Sequence, residues 1–326
     1  MRVAVTGSIA TDFLMTFPGR FVEQLAPEQL HRLSLSFLVE DLEVRRGGNG
    51  GNIAFGMAQL GLRPVLVGAV GPDWGEYRAW LDRHGVDTSS VHVSDLHHTA
   101  RFMCTTDLDH NQIATFYAGA MSDARNIELG PVVERLGGLD LVIVSPNDPE
   151  AMVRHTEEAR QRGIPWLADP SQQLSSLEGD AIRGLIAGAR FLVVNDYEMA
   201  LVEQKTGWSH DDVLAQVDVL VTTHGPAGSV VEQAGTEPVK VPAAPERASV
   251  DPTGVGDAFR SGFVAGQAWG LGLERSAQVG SLLATLALEE VGTQEYQVDP
   301  SVFADRFAAA FGPYAADEVR PHLPVR

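Results

Sequence analysis

The chain has 326 residues, 44% of them apolar, which fits one large α/β domain with a smaller one attached. Its single cysteine, Cys104, excludes an intrachain disulfide framework and a CxxC metal site and fits a reducing compartment. A formal net charge of −19 argues against nucleic acid or an anionic membrane as the main partner, because phosphate-bearing surfaces demand basic residues.

Arg2–Gly7 reads as a buried strand rather than the apolar core of a signal peptide. No stretch is long and apolar enough to span a bilayer, so a cytoplasmic location is expected. Ser8-Ile9-Ala10-Thr11-Asp12 follows that strand at its carboxyl end, where ligands bind in parallel sheets. Gly19–Glu43, with Leu33-Ser34 and Leu35-Ser36 steps, reads as an insertion outside the main sheet. Arg45–Asn52 reads as a glycine loop running into an amphipathic helix, Ile53–Leu60. A strand at Pro64–Val70 and a helix at Tyr77–His84 come next. Arg101–Thr106 and Gln112–Tyr117 alternate on either side of Leu108-Asp109-His110-Asn111, a hairpin signal.

Beyond the hairpin, β and α patterns alternate. Strands are expected at Leu139–Val144, Ile164–Asp169, Phe191–Asn195 and Val219–Thr223, and helices at Pro149–Arg162, Gly179–Ala187 and Tyr197–Thr206. Such alternation implies a parallel sheet covered on both faces. Val230–Gln233 and Val239–Val241 form a short hairpin around Gly235, and helices Glu274–Val291 and Ser301–Phe311 close the globule. The tail after Gly312 carries no signal.

Chemistry concentrates in Asp251-Pro252-Thr253-Gly254-Val255-Gly256-Asp257-Ala258-Phe259, where a loop becomes a helix. Unpaired backbone N–H groups and the positive end of the helix dipole make such a junction an anion hole, and glycine lets a phosphate approach closely. Asp257 is then either an N-terminal capping acid or a general base beside a phosphate pocket. Gly47–Asn52 is not a dinucleotide fingerprint, and Lys205-Thr206 lacks the upstream glycines of a Walker A loop. Asn195-Asp196-Tyr197-Glu198 and Thr222-Thr223-His224-Gly225-Pro226-Ala227-Gly228 each suit plain capping and turn chemistry when taken alone. His97, His98 and His110 have no acid or cysteine spacing that makes a zinc site.

Together the pieces are more specific: Gly-Gly-x-x-x-Asn, then Asn-x-x-Glu, then Thr-x-Gly-x-x-Gly, then Asp-x-Thr-Gly-x-Gly-Asp, in that order. The chain resembles the ribokinase-like, or PfkB, family over nearly its whole length. Gly7–Asp12, Leu33–Leu38, Asp169-Pro170-Ser171-Gln172-Gln173 and Asp251–Phe259 are most similar to the adenosine kinases of actinobacterial type. Val255 stands where many members have alanine, and the extra glycines of Gly47–Asn52 are expected to loosen that loop.

The resemblance implies a ribokinase-like α/β fold whose large domain spans 1–12, 47–90 and 118–326, with a small β-rich lid from 13–46 and 91–117. It implies that Asp257 takes the proton of the acceptor hydroxyl while Gly254, Val255 and Gly256 stabilise the transferring phosphoryl group. Ser8, Asp12, Ser36, Gly48, Asn52, Phe102, Phe116, Gln172 and Gln173 would surround adenosine. Asn195, Thr223, Gly225, Gly228 and Gly256 would line the ATP side, with Asn195 and Glu198 holding Mg²⁺ through water. ATP and Mg²⁺ are the implied cofactors, with K⁺ as a further candidate, and a homodimer through the lid is expected. The rival readings are another PfkB kinase acting on a sugar or nucleoside, and a catalytically silent nucleoside sensor.

Overall fold

The computed structural model describes residues 1–24 and 36–325. The Leu33-Ser34-Leu35 part of the expected substrate segment lies outside these residues. The strands are β1 (Val3–Thr6), β2 (Ala10–Thr16), β3 (Asp41–Gly47), β4 (Val65–Val70), β5 (Asp87–Val93), β6 (Ala100–Thr106), β7 (Gln112–Tyr117), β8 (Leu141–Val144), β9 (Trp166–Ala168), β10 (Phe191–Asn195), β11 (Val219–Thr223), β12 (Ser229–Glu232) and β13 (Val239–Val241). Among the described residues they form two sheets, ordered β13-β12-β11-β10-β9-β8-β1-β4-β5 and β3-β2-β6-β7.

From β11 to β5 the large sheet is parallel; only the β12 and β13 edge runs antiparallel. The all-buried runs Val3–Thr6, Val65–Val70 and Leu141–Val144 show why: with helices on both faces, no position in these strands meets water. One face packs on Ile53, Phe55, Phe259, Phe263 and Leu283, and the other on Met152, Ile182, Leu185 and Val202. Strand order reverses around β1, which lies between β4 and β8. The crevice outside the carboxyl ends of the strands at such a reversal is where parallel sheets bind ligands. The small sheet grows out of that end, because β2 begins four residues after β1 stops.

At four points the structure corrects or extends what the sequence implied. The small sheet starts at Ala10 and takes in Gly47, whereas β5 carries residues 91–93 into the large sheet; the boundaries drawn at 13, 46 and 91 are therefore displaced. The polar run Asp87-Thr-Ser-Ser is an edge strand that no apolar alternation announces. The insertion Gly19–Glu43 contains the start of β3, and the tail after Gly312 forms a helix, Pro313–Val319, that buries Ala315, Ala316 and Val319. Finally, the glycines after Gly48 do not loosen a loop. The helix begins at Asn49, and a Cβ on Gly50 would lie 2.8 Å from Gly7 Cα, so the extra glycines let two backbones touch.

Candidate active site

The helix Val255–Ala268 starts at Gly254, whose φ of +76° favours glycine, and a Cβ there would also press on Thr293 at 2.9 Å. The amides of Gly254, Gly256 and Asp257 have no acceptor among the described residues, and Val255 N reaches Pro252 O only at 3.4 Å. These are the donors an anion hole needs. Asp257, in the first turn, is 5% exposed. It is not an N-cap, because its carboxylate turns to the helix that starts at Asn49: Asn49 Nδ2 donates to Oδ1 and Asn52 Nδ2 to Oδ2, each at 2.9 Å. Burial pushes its carboxyl above the ordinary range, against the pull of Arg260 and the two amides.

Asn52 is itself fixed from behind. Its Oδ1 accepts from Thr293 Oγ1 at 2.8 Å and from Gln294 Nε2 at 2.9 Å. Gln294 also reaches the Tyr77 hydroxyl, which donates to Gly47 O at 3.0 Å. Ser8 Oγ accepts from Asn49 N at 3.1 Å, which ties the end of β1 to the same helix start. Gly48 has φ +87° and lies so close to Ser8, Ile9 and Ala10 that a Cβ would come within 2.6 Å of Ser8 O.

Beneath the site lies an ionic cluster that sequence reading missed. Arg260, buried one turn after Asp257, places Nη2 2.6 Å from Asp169 Oδ1 and 3.7 Å from Glu198 Oε2. Asp169 follows β9 directly, and Glu198 lies on the helix that follows β10. Three buried carboxylates around one guanidinium cannot all ionise cheaply, and burial pushes Asp169 up to about 8. The only sequence signal was a lone arginine in a run of small and apolar residues, Phe259-Arg260-Ser261-Gly262-Phe263. Thr293, Gln294 and Tyr77 carried no local signal.

The small sheet brings three predicted residues into one row. Asp12 on β2 pairs with Phe102 on β6, and Phe102 pairs with Phe116 on β7. Laterally paired residues share a face, so a carboxylate and two aromatic rings line up side by side. Asp12 lies over Gly47, where a Cβ would come within 2.6 Å of its Oδ2. It has no hydrogen-bond or ion-pair partner among the described residues, and burial pushes it up to about 6. Phe116 is 52% exposed, and neither ring stacks on another aromatic among the described residues. Gln172 and Gln173 follow β9: Gln172 Nε2 donates to Asn49 Oδ1 at 2.7 Å and Gln173 Nε2 to Asn147 O at 2.7 Å. Ser36 is not drawn in. It is exposed, and its neighbour Phe37 packs on Phe17 and Phe21 at ring distances of 5.0 Å.

At the end of β10, Asn195 and Glu198 form a reciprocal cap. Asn195 Oδ1 accepts from Glu198 N at 2.8 Å and Glu198 Oε2 from Asn195 N at 2.9 Å, while Ser171 Oγ donates to Oε1 at 3.0 Å. With each oxygen already accepting once, the pair suits Mg²⁺ held through water and arriving with phosphates, the habit of an ion that sheds water reluctantly. Thr223 ends β11 beside them, with Oγ1 3.4 Å from Val194 O. Gly225 and Gly228 shape the turn into β12, where a Cβ on Gly228 would collide with Val241 O. His97, His98 and His110 join no group of metal-ligating side chains among the described residues.

The model of the pfkB family carbohydrate kinases matches residues 6–299. A nucleoside kinase of Methanothermobacter thermautotrophicus is 31% identical over 82% of this chain and 85% of its own length. The structure of Burkholderia thailandensis nucleoside kinase in complex with inosine superposes with a TM-score of 0.84 at 36% identity, covering 95% of this chain and 99% of that one. Thermotoga maritima ribokinase, at 18% identity and a TM-score of 0.76, shares the fold. With a parallel sheet flanked by helices, a glycine anion hole beside a buried aspartate, and a family match over most of its length, the chain belongs to the pfkB family of carbohydrate kinases and has the ribokinase-like fold.

Proposed function

We propose that this kinase transfers the γ-phosphoryl group of ATP to the 5′-hydroxyl of adenosine, giving AMP. Asp257 takes the hydroxyl proton as the new O–P bond forms, and the N–H groups of Gly254, Val255 and Gly256 stabilise the charge on the phosphoryl oxygens. Asn195 and Glu198 would hold Mg²⁺ through water, where the ion would supply neutralisation of phosphate charge; K⁺ near the anion hole is a further candidate. Thr223, Gly225 and Gly228 shape the ATP side.

The observation that carries the reading is the row Asp12–Phe102–Phe116. An unpartnered carboxylate can accept from two ribose hydroxyls, and the exposed Phe116 ring, two strands along the same row, can stack on a base. A free sugar has no use for the rings, and a silent sensor has none for Asp257 against an anion hole. Gln172 and Gln173 each commit an N–H within the protein. Their side-chain oxygens have no partner among the described residues and suit the exocyclic amino group of adenine. Ser8, Gly48 and Asn52 complete the acceptor side; Ser36 would have to approach from its exposed position.

A broader purine nucleoside kinase is the second reading, favoured by the inosine bound to the 36%-identical relative. A panel of nucleosides and free sugars with ATP, with phosphorylated products identified by mass spectrometry, decides between them. Adenosine should lead the panel; ribose or fructose ahead of every nucleoside would refute the proposal.

We also propose a homodimer through the lid. The opposite face of the small sheet carries Leu42 and Val44, each 56% exposed, and Ile113 at 44%, alongside Phe13, Met15 and Met103. An apolar sheet face of this kind marks a partner site. Light scattering should give twice the chain mass, and Val44→Glu should halve it.

A further inference from the structure

The two amides on Asp257 are not alike. Asn52 is buried, and its own oxygen is held by Thr293 and Gln294. Asn49 is half-buried at the first helical position, and its side-chain oxygen accepts only from Gln172, which is exposed. An acceptor hydroxyl that gives its proton to Asp257 needs one carboxylate oxygen within hydrogen-bond reach. Oδ2 is bound by a donor anchored from behind. Oδ1 is bound by a donor tethered to a surface side chain on the acceptor side.

We propose that Asn49 is a positioning residue that guards the base. Without an acceptor, its amide occupies Asp257 Oδ1. A nucleoside that engages Gln172 loosens the tether and lets its hydroxyl take the place of the Asn49 amide. The base is thus released only when an acceptor is seated, a form of induced fit.

This inference rests on the kinase reading, and it concerns one side reaction. Water can replace the acceptor: its oxygen attacks the γ-phosphorus, the bond to the β,γ-bridging oxygen breaks, and ADP leaves. The water's proton goes to Asp257 and then to solvent. Occupation of Oδ1 by Asn49 opposes that step.

The charged and titratable groups facing Asp257 are Arg260 on its own helix, Asp169 after β9, and Glu198 from the helix after β10. Tyr77, from the helix Gly75–Arg83, and Tyr296 also face it. None of these donates to Oδ1 among the hydrogen bonds of the described residues; Asn49 alone does. Deleting the Asn49 amide removes a donor that favours the carboxylate, so the pKa of the base rises. Activity needs the deprotonated base and is lost as pH falls, so the acid limb of the rate profile moves to higher pH.

The test compares wild type, Asn49→Ala, Asn49→Gln and Gln172→Ala. It measures ATP hydrolysis without nucleoside, transfer to adenosine, and the pH dependence of kcat/KM. Asn49→Ala should raise the ratio of hydrolysis to transfer about tenfold, the worth of one hydrogen bond to a charged group, and move the acid limb up by about one pH unit. Asn49→Gln, which keeps an amide, should lie nearer wild type. Gln172→Ala changes an exposed side chain and keeps the fold if Asn49→Ala does not; because Gln172 also lies on the acceptor side, its readout is the absolute rate of ATP hydrolysis without nucleoside, which should rise as it does in Asn49→Ala. An unchanged ratio with an unmoved acid limb in a folded variant overturns the proposal. Wild-type protein that phosphorylates no nucleoside overturns the kinase reading instead, so the two failures are distinguishable.

Discussion

Removal of the Phe116 ring tests whether the lid reads a base. Phe116 is 52% exposed, so about half of its surface already meets water. Phe→Ala in a core costs about 3–5 kcal/mol, and a half-exposed ring should cost about half of that or less. The functional loss has a separate origin. A base stacked on an aromatic is worth about 1–3 kcal/mol, which at 1.4 kcal/mol per tenfold is a rise in KM for adenosine of about 5- to 150-fold. The KM for ATP should stay put, because Phe116 lies on the small sheet, whereas Thr223 ends a strand of the large one. Phe102 is half-buried, so Phe102→Ala should add a visible loss of melting temperature to a similar KM effect. The two rings are direct cross-strand neighbours, so the double variant should lose less than the sum of the singles. Steady-state kinetics with each substrate varied in turn, plus thermal melts, measure all of this. An unchanged KM for adenosine in both singles, or an equal rise for ATP, would refute the reasoning.

Asp257→Asn removes the base while keeping its shape, and kcat should fall about 10²–10⁴-fold with adenosine affinity largely retained; near-normal kcat ends the assignment. Burial pushes the Asp12 carboxyl up to about 6, and its charged form, favoured above that pH, is the one that accepts two hydroxyls. Adenosine binding followed by calorimetry should therefore weaken as pH falls through about 6, and Asp12→Asn should abolish that dependence. Arg260→Met strips the counter-charge from Asp169, Glu198 and Asp257, so urea unfolding should shift to lower denaturant and the acid limb of kcat to higher pH; a variant with both unmoved would show that the cluster is inert. Gly50→Ala drives a Cβ against the backbone of Gly7 and should cost about 1–3 kcal/mol, the usual toll of overpacking, read from the same unfolding curves.

The sequence by itself determined the alternating architecture and marked the glycine-rich junction before Asp257. The alternation of strand and helix patterns implied a parallel sheet, and fully apolar runs such as Val65–Val70 fit strands covered on both faces. The strands Phe191–Asn195 and Val219–Thr223 and the hairpin of β6 and β7 were legible because their turn and capping residues are local signals. The motif around Gly254 and Asp257 was legible for the same reason: a glycine at φ +76° and the helix behind it are neighbours in the chain.

Tertiary structure alone decided what lies far apart in sequence. Asn49 and Asn52 reach Asp257 across 208 and 205 positions, and Gln294 reaches Asn52 across 242. No local pattern encodes such pairs. The register that sets Phe102 against Phe116 and Asp12 is fixed by pairing between strands, and a slip of one residue in one strand would put its side chain on the opposite face from the other two. Arg260 is the sharpest case. In sequence it is one charge on an apolar helix. It becomes part of the site only because the ends of β9 and β10 bring Asp169 and Glu198 to the same buried point, where a lone charge could not be tolerated.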